Sequence, residues 1–212
     1  MGNKRETFVP DTIYHIYNRG NGGCNIFNTP DNYKFFLSKF SHYISPVSKT
    51  YAYCLLPNHF HFLIHIKPEI HLIDLIRKRK LFNLLKQDCP FDAFITSKFR
   101  FFFISYAKSF NKVFDRHGSL FEESIKRKAV LSDDYFTTMI RYIHFNPVFH
   151  GFRKEPSEWT YSSFNAFSSA NKTELDKQMV LDWFGGKEKF IEFHKKIQDD
   201  EIVPIEHLLF DK

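Results

Sequence analysis

Apolar and polar positions alternate over residues 12–20 and stop at a turn signal, which predicts a first strand. Over 30–44 the spacing changes: Phe35, Phe36, Phe40 and Tyr43 recur as one face of a helix, with Asp31 in the N-cap place. Residues 49–66 predict two strands joined at Pro57-Asn58, because proline cannot donate to a ladder and asparagine suits a turn. A helix with a basic middle is expected over 71–87, and a longer one over 90–118 that stops at Gly118. Residues 120–132 read as extended. A further helix spans 132–147, capped by Ser132 or Asp133 and ended by Pro147. Residues 156–167 are irregular, and one or two short helices surround Gly185-Gly186. The order is close to the ferredoxin-like, split βαβ arrangement of the α+β class: an antiparallel sheet with helices on one face and the other free for ligands. A small helical tail follows, so the expected division is a domain at 8–170 and an extension at 171–212.

The strand beginning at His59 carries the first chemical signal. A period of two sends Phe60, Phe62, Ile64 and Ile66 to an uninterrupted core face. His59, His61, Leu63 and His65 face the other way. The first two imidazoles stand about one pleat repeat (~7 Å) apart, close enough to chelate one ion. Two ordinary half-exposed histidines explain the spacing equally well, and a zinc site of His59, His61 and His65 is a third reading. Zinc prefers nitrogen and sulfur ligands, and no cysteine lies at suitable spacing.

A second signal lies in the helix at 132–147. Phe136, Met139, Ile140 and Ile143 make its apolar stripe. Tyr142 and Asn146 sit on the flank of that stripe, one turn apart and therefore neighbours. The amide oxygen of Asn146 is a hard ligand suited to Mg²⁺ or Mn²⁺. The Tyr142 phenol is a nucleophile when a base or metal assists it. A boundary tyrosine and a helix-end asparagine are the plainer reading of the same spacing. Tyr106 competes as a phenol, but it recurs with Phe99, Phe103, Phe110 and Val113 on one stripe, which is a core pattern.

Charge adds a partner. Residues 1–170 hold 23 Lys/Arg against 14 Asp/Glu, whereas 171–212 hold 7 against 10, so a basic body carries an acidic tail. Such a body fits a polyanion, most simply nucleic acid. The basic runs Arg77, Lys78, Arg79, Lys80 and Lys126, Arg127, Lys128 are candidates for backbone contacts, or else solvated surfaces. No apolar run is long enough for a transmembrane helix and no secretory apolar region is present, so no membrane partner is expected. Three cysteines without a CxxC pair fit a reduced, cytoplasmic protein.

Taken in order, these segments resemble the single-tyrosine HUH transposases, in particular the REP-associated tyrosine transposase branch of the insertion-sequence group. The carrying motifs are YHIYNRGN, LPNHFHFLI, RHGSLFEESIKRKAV, YIHFNPVFHG and EWTYSSF, spread from about Tyr14 to Phe164. HxH alone is weakly specific; the ordered set is strongly so. Relatives often carry an arginine after the GSLFE segment, where this chain has Lys126, Arg127 and Lys128. The resemblance implies that His59, His61 and Asn146 bind a divalent ion, Mg²⁺ or Mn²⁺, and that Tyr142 is the nucleophile. It further implies cleavage and rejoining of single-stranded, hairpin-forming DNA through a 5′-phosphotyrosine, by a monomer or homodimer. A domesticated, non-catalytic nucleic-acid binder of the same fold is the alternative.

Overall fold

A computed structural model describes residues 6–122 and 125–195. Four strands, β1 (Ile13–Arg19), β2 (Ser48–Leu56), β3 (His59–Ile66) and β4 (Lys126–Val130), form one antiparallel sheet in the order β2-β3-β1-β4. β1 and β2 are joined through helix α1 (Pro30–Ile44) while β3 inserts between them, which is the split βαβ expected. Helices α2 (Glu69–Lys78) and α3 (Pro90–Val113) precede β4, and α4 (Asp133–Phe149) follows it. Three short helices complete the described chain: α5 (Phe164–Ser168), α6 (Lys177–Phe184) and α7 (Lys187–Lys195). The end of the expected extension, 196–212, lies outside the described residues. No described helix is long and apolar enough to cross a membrane.

The sheet separates two apolar layers. One joins α1 and α3 to Phe60, Phe62, Ile64 and Ile66 of β3 and to Tyr14 and Ile16 of β1. Its centre is Phe36, fully buried, whose ring meets Phe27, Phe60, Phe102 and Tyr106. The other layer packs Phe136, Met139, Ile140 and Ile143 of α4 on Leu63 and on Tyr51, Cys54 and Leu56 of β2. Val180, Leu181 and Phe190 of the tail close this layer from outside. The face of the sheet opposite α1 and α3 is thus roofed by α4 over β2 and β3, rather than left free there.

Several local expectations shift. Thr29, not Asp31, caps α1, and the Asn32 side chain accepts from the Thr29 N–H at 3.1 Å. The helix expected over 71–87 stops at Lys78, and Lys80 takes a left-handed φ of 57°. α3 ends at Val113, short of Gly118, and Val113 is exposed. Ser132 does cap α4, accepting from the Tyr135 N–H at 3.3 Å. Pro147 does not end α4; the helix runs on to Phe149. Proline removes one helical donor, but the end of α4 is otherwise bonded: His150 N–H donates to Asn146 O at 3.1 Å and Phe152 N–H to Pro147 O at 2.9 Å.

β4 also sorts the second basic run. Lys126 and Lys128 lie opposite Tyr17 and His15, and Arg127 lies opposite Ile16. Directly paired residues share a face, so the two lysines stand on the histidine side and Arg127 points into the α3 layer. There its guanidinium pairs with Asp92 at 2.7 Å, donates to Thr96 at 3.2 Å and covers the Phe8 ring at 3.9 Å. With its side chain 1% exposed, Arg127 is a structural cation, which corrects its expected role as a DNA contact.

A chain of buried polar groups ties the tail to α4. His144 bonds Ser163 Oγ at 2.8 Å through Nε2 and His194 Nε2 at 2.9 Å through Nδ1, and His194 Nδ1 reaches Phe190 O at 2.8 Å. One neutral arrangement satisfies every atom: His194 Nδ1–H donates to the carbonyl, His144 Nδ1–H to His194, and the Ser163 hydroxyl to His144. Burial depresses the pKa of both imidazoles, with the neighbouring imidazole adding to this for His144, and His194 falls to about 4.

Two outcomes follow. A histidine neutral when folded contributes stability that is complete above its unfolded pKa of about 6.5 and is lost as pH falls towards the folded value. Unfolding free energies from urea titrations should therefore drop below pH ~6.5, by up to about 1.4 kcal/mol per pH unit per group, and His194→Gln should flatten that slope. Separately, Asp92→Ala strands a buried guanidinium and should cost about 3 kcal/mol in chemical denaturation, far more than a surface ion pair would.

Candidate active site

The Pro57-Asn58 turn presents the start of β3, and the loop after β1 holds it there. Ile26 and Phe27 N–H groups donate to Pro57 O at 2.8 and 3.0 Å, and Gly20 N–H donates to Asn58 O at 2.8 Å. Gly20 is needed at this crossing for space alone: a Cβ there would lie 1.9 Å from Cys24 O. His59 and His61 follow the turn on the same side, with ring centroids 5.3 Å apart. Across from them α4 brings Tyr142 and Asn146, one turn apart on the flank of its packed stripe. Asn146 is fully buried, and Tyr142 is 1% exposed.

The contacts are short. His59 Nδ1 faces Asn58 Oδ1 at 2.7 Å, while its Nε2 faces Asn146 Oδ1 at 3.1 Å. A neutral imidazole has one N–H, so only one of these oxygens can accept from it. With the proton on Nε2 the 3.1 Å contact is a hydrogen bond; with the proton on Nδ1, donated to Asn58, Nε2 and Asn146 Oδ1 both turn lone pairs into the same space, the form a bound cation would select. Two ligands at right angles, each about 2.1 Å from a magnesium-sized ion, stand about 3.0 Å apart, so this pair has the edge length of a cation's ligand set. His61 Nε2 is buried without a hydrogen-bond partner, and so is Asn146 Nδ2. The Tyr142 ring stands edge-on to His61, centroids 5.4 Å apart. Burial, reinforced by His15, His59 and His150, depresses the His61 pKa and keeps the ring neutral, the form that binds metals. These donors fit a divalent ion.

The other candidates separate from this cluster. His65 is engaged elsewhere, with Tyr51 OH at 3.0 Å and Asp11 at 3.0 Å. Among the described residues no group of three His, Cys, Asp or Glu side chains could hold a metal, so the three-histidine zinc site is not formed. Tyr106 belongs to the α1 and α3 layer, where its hydroxyl donates to Ile26 O at 2.5 Å and burial raises its pKa. Arg77, Lys78, Arg79 and Lys80 are exposed, but α2 buries Leu72 and Ile76 in that same layer, across the sheet from the histidine pair.

Groups not singled out from sequence, Tyr17, Asn18 and Arg19 among them, share the lining of the site with those that were. A shallow depression is bordered by Tyr17, Asn18, Arg19, His59, His61 and Lys126. At its rim Glu122 pairs with Arg19 and, at 3.2 Å, with Lys126, and the Arg19 hydrogen bond leads the forces that lower its pKa. His15 bonds His61 at 2.9 Å, and the His150 ring lies 4.7 Å from His59. Alternation along β1 places His15, Tyr17 and Arg19 on one face; which face that was depended on the pairing with β3.

No protein-family model and no curated protein matches this chain. Among solved structures it is similar to a REP-associated tyrosine transposase bound to a REP hairpin, with a TM-score of 0.57 and 17% identity, over 80% of this chain and 87% of that one. At that identity the likeness is one of architecture: the chain has the fold of a REP-associated tyrosine transposase.

Proposed function

We propose that the protein is a single-tyrosine DNA strand transferase that cleaves and rejoins single-stranded DNA with the help of Mg²⁺ or Mn²⁺. The observation that carries this reading is the meeting of His59 Nε2 and Asn146 Oδ1 at 3.1 Å, beside His61 and Tyr142. The solved structure of the same fold holds a REP hairpin, which makes a hairpin-forming strand the first substrate to test. His59, His61 and Asn146 would hold the ion through two nitrogens and one amide oxygen. When bound, the ion supplies charge neutralisation at the scissile phosphate and at the departing 3′-oxygen.

The remaining work falls to the chain's own residues. Tyr142 Oη forms a bond to phosphorus as the P–O3′ bond breaks; the phenol loses its proton and the 3′-oxygen gains one. The 5′-phosphate stays on Tyr142, so a 3′-hydroxyl can reverse the step without a further energy source. Lys126 and Arg19 at the rim bring positive charge to the approaching backbone. Tyr17 stands half-buried beside them, its ring stacked on His15 with the Lys126 ammonium over it. The Tyr142 ring is 1% exposed, so its phenol must swing outward when DNA arrives. That same burial favours the second reading, a non-catalytic binder of hairpin DNA with this fold.

A labelled single-stranded hairpin incubated with Mn²⁺ separates the two. A denaturation-resistant adduct should form with the native protein and vanish in Tyr142→Phe, while Tyr106→Phe retains it. Chelation or His59→Ala should remove the adduct as well. Hairpin binding with no adduct under any of these conditions would establish the non-catalytic reading instead. For binding alone, Lys126→Ala should lower the slope of log affinity against log salt by about one. Lys78→Ala, on the other layer, should leave that slope unchanged.

A further inference from the structure

We infer that His15 is a positioning residue: it fixes the tautomer of His61, keeping the His61 proton on Nδ1 and the Nε2 lone pair turned into the site. This rests on the proposed reading of His61 as a metal ligand. His15 Nε2 and His61 Nδ1 stand 2.9 Å apart. Their rings are near parallel, at 14°, with centroids 5.1 Å apart. Facing nitrogens at that separation put the two rings almost edge to edge, so the N–H of one points along the lone pair of the other.

Either histidine could donate, and burial decides which. His15 is 2% exposed and His61 5%, so water does not compete. If His15 donated, the His61 proton would sit on Nε2, a buried atom with no acceptor. If His61 donates from Nδ1, the His15 proton moves to its own Nδ1, which is not among the buried atoms that lack a partner, and His61 Nε2 is left as a base. The second arrangement is therefore favoured, and it is the one a metal ligand requires. Two further rings hold the assembly: Tyr17 stacks on His15 at 4.9 Å, and Tyr142 stands edge-on to it at 6.0 Å. His59 has the matching support from Asn58, so each imidazole is oriented through its Nδ1 by a neighbour outside the ligand set.

The test reads tautomers directly, without DNA. Long-range ¹H–¹⁵N spectra of the metal-free protein, assigned with His61→Gln, should show His61 protonated on Nδ1. A proton on Nε2 in the native protein overturns the inference. His15→Leu should shift His61 away from the Nδ1–H form and weaken Mn²⁺ binding by about 10- to 100-fold in titration calorimetry. His15→Gln, whose amide oxygen can accept the same hydrogen bond, should restore both. If His15→Leu keeps the Nδ1–H form, or loses it with Mn²⁺ affinity unchanged, the positioning role fails. Should His15→Leu not fold, the native spectrum and His15→Gln decide the matter. Native protein that binds no Mn²⁺ defeats the proposed metal site and with it the positioning role, whereas the native tautomer alone tests the His15–His61 hydrogen bond.

Discussion

β3 is packed on both faces, and that removes its freedom of register. Phe60, Phe62, Ile64 and Ile66 are held in the aromatic layer of α1 and α3, and a slip of one residue would drive every one of them to the opposite side. The same lock sends His59 and His61 under α4. β1 and β2 bond to the two edges of β3, so the whole sheet takes its alignment from this strand. Everything near the histidines inherits its position from that alignment: His15 and Tyr17 through β1, and Lys126 and Lys128 through β4.

Two polar devices refine what the apolar lock sets coarsely. The loop after β1 clamps the Pro57-Asn58 turn through three backbone hydrogen bonds. Asn58 and His15 then meet the Nδ1 atoms of His59 and His61. The imidazoles are thereby oriented from outside the cluster, by groups on strands and turns rather than on free loops. α4 is fixed in a comparable way. Its stripe packs on β2 and β3, its start is capped by Ser132, and its middle is pinned by the bonded chain of Ser163, His144 and His194. The tail thus meets the same helix that carries Tyr142 and Asn146, two residues to either side of His144.

Charge is distributed by the same geometry. The basic body is not one surface. Arg77 to Lys80 are exposed at the end of α2, whose buried residues pack in the layer of α1 and α3, Arg127 is consumed by Asp92, and only Lys126 and Lys128 of the second run face the histidine side. Net charge therefore overstates how much of it can reach a ligand at the site, and Glu122 reduces it further at the rim.

Local pattern alone determined the strands, the hairpin, most helices and the facing of the histidine strand, because side-chain alternation and helical spacing are properties of neighbours in sequence. It also put Tyr142 and Asn146 together, since residues one turn apart on a helix must meet. Whether that helix reached the histidines was a question of packing between segments some 85 residues apart, and only the tertiary structure answered it. The roles of His15, Arg127 and Pro147 were hidden for the same reason. Alternation showed that His15 shares a face with Tyr17, but not which face; the side taken by Arg127 needed the pairing of β4 with β1. The passage of α4 through Pro147 needed the bonds made by the chain beyond it. Sequence is sufficient where the deciding contact is within a few residues, and long-range register decides the rest.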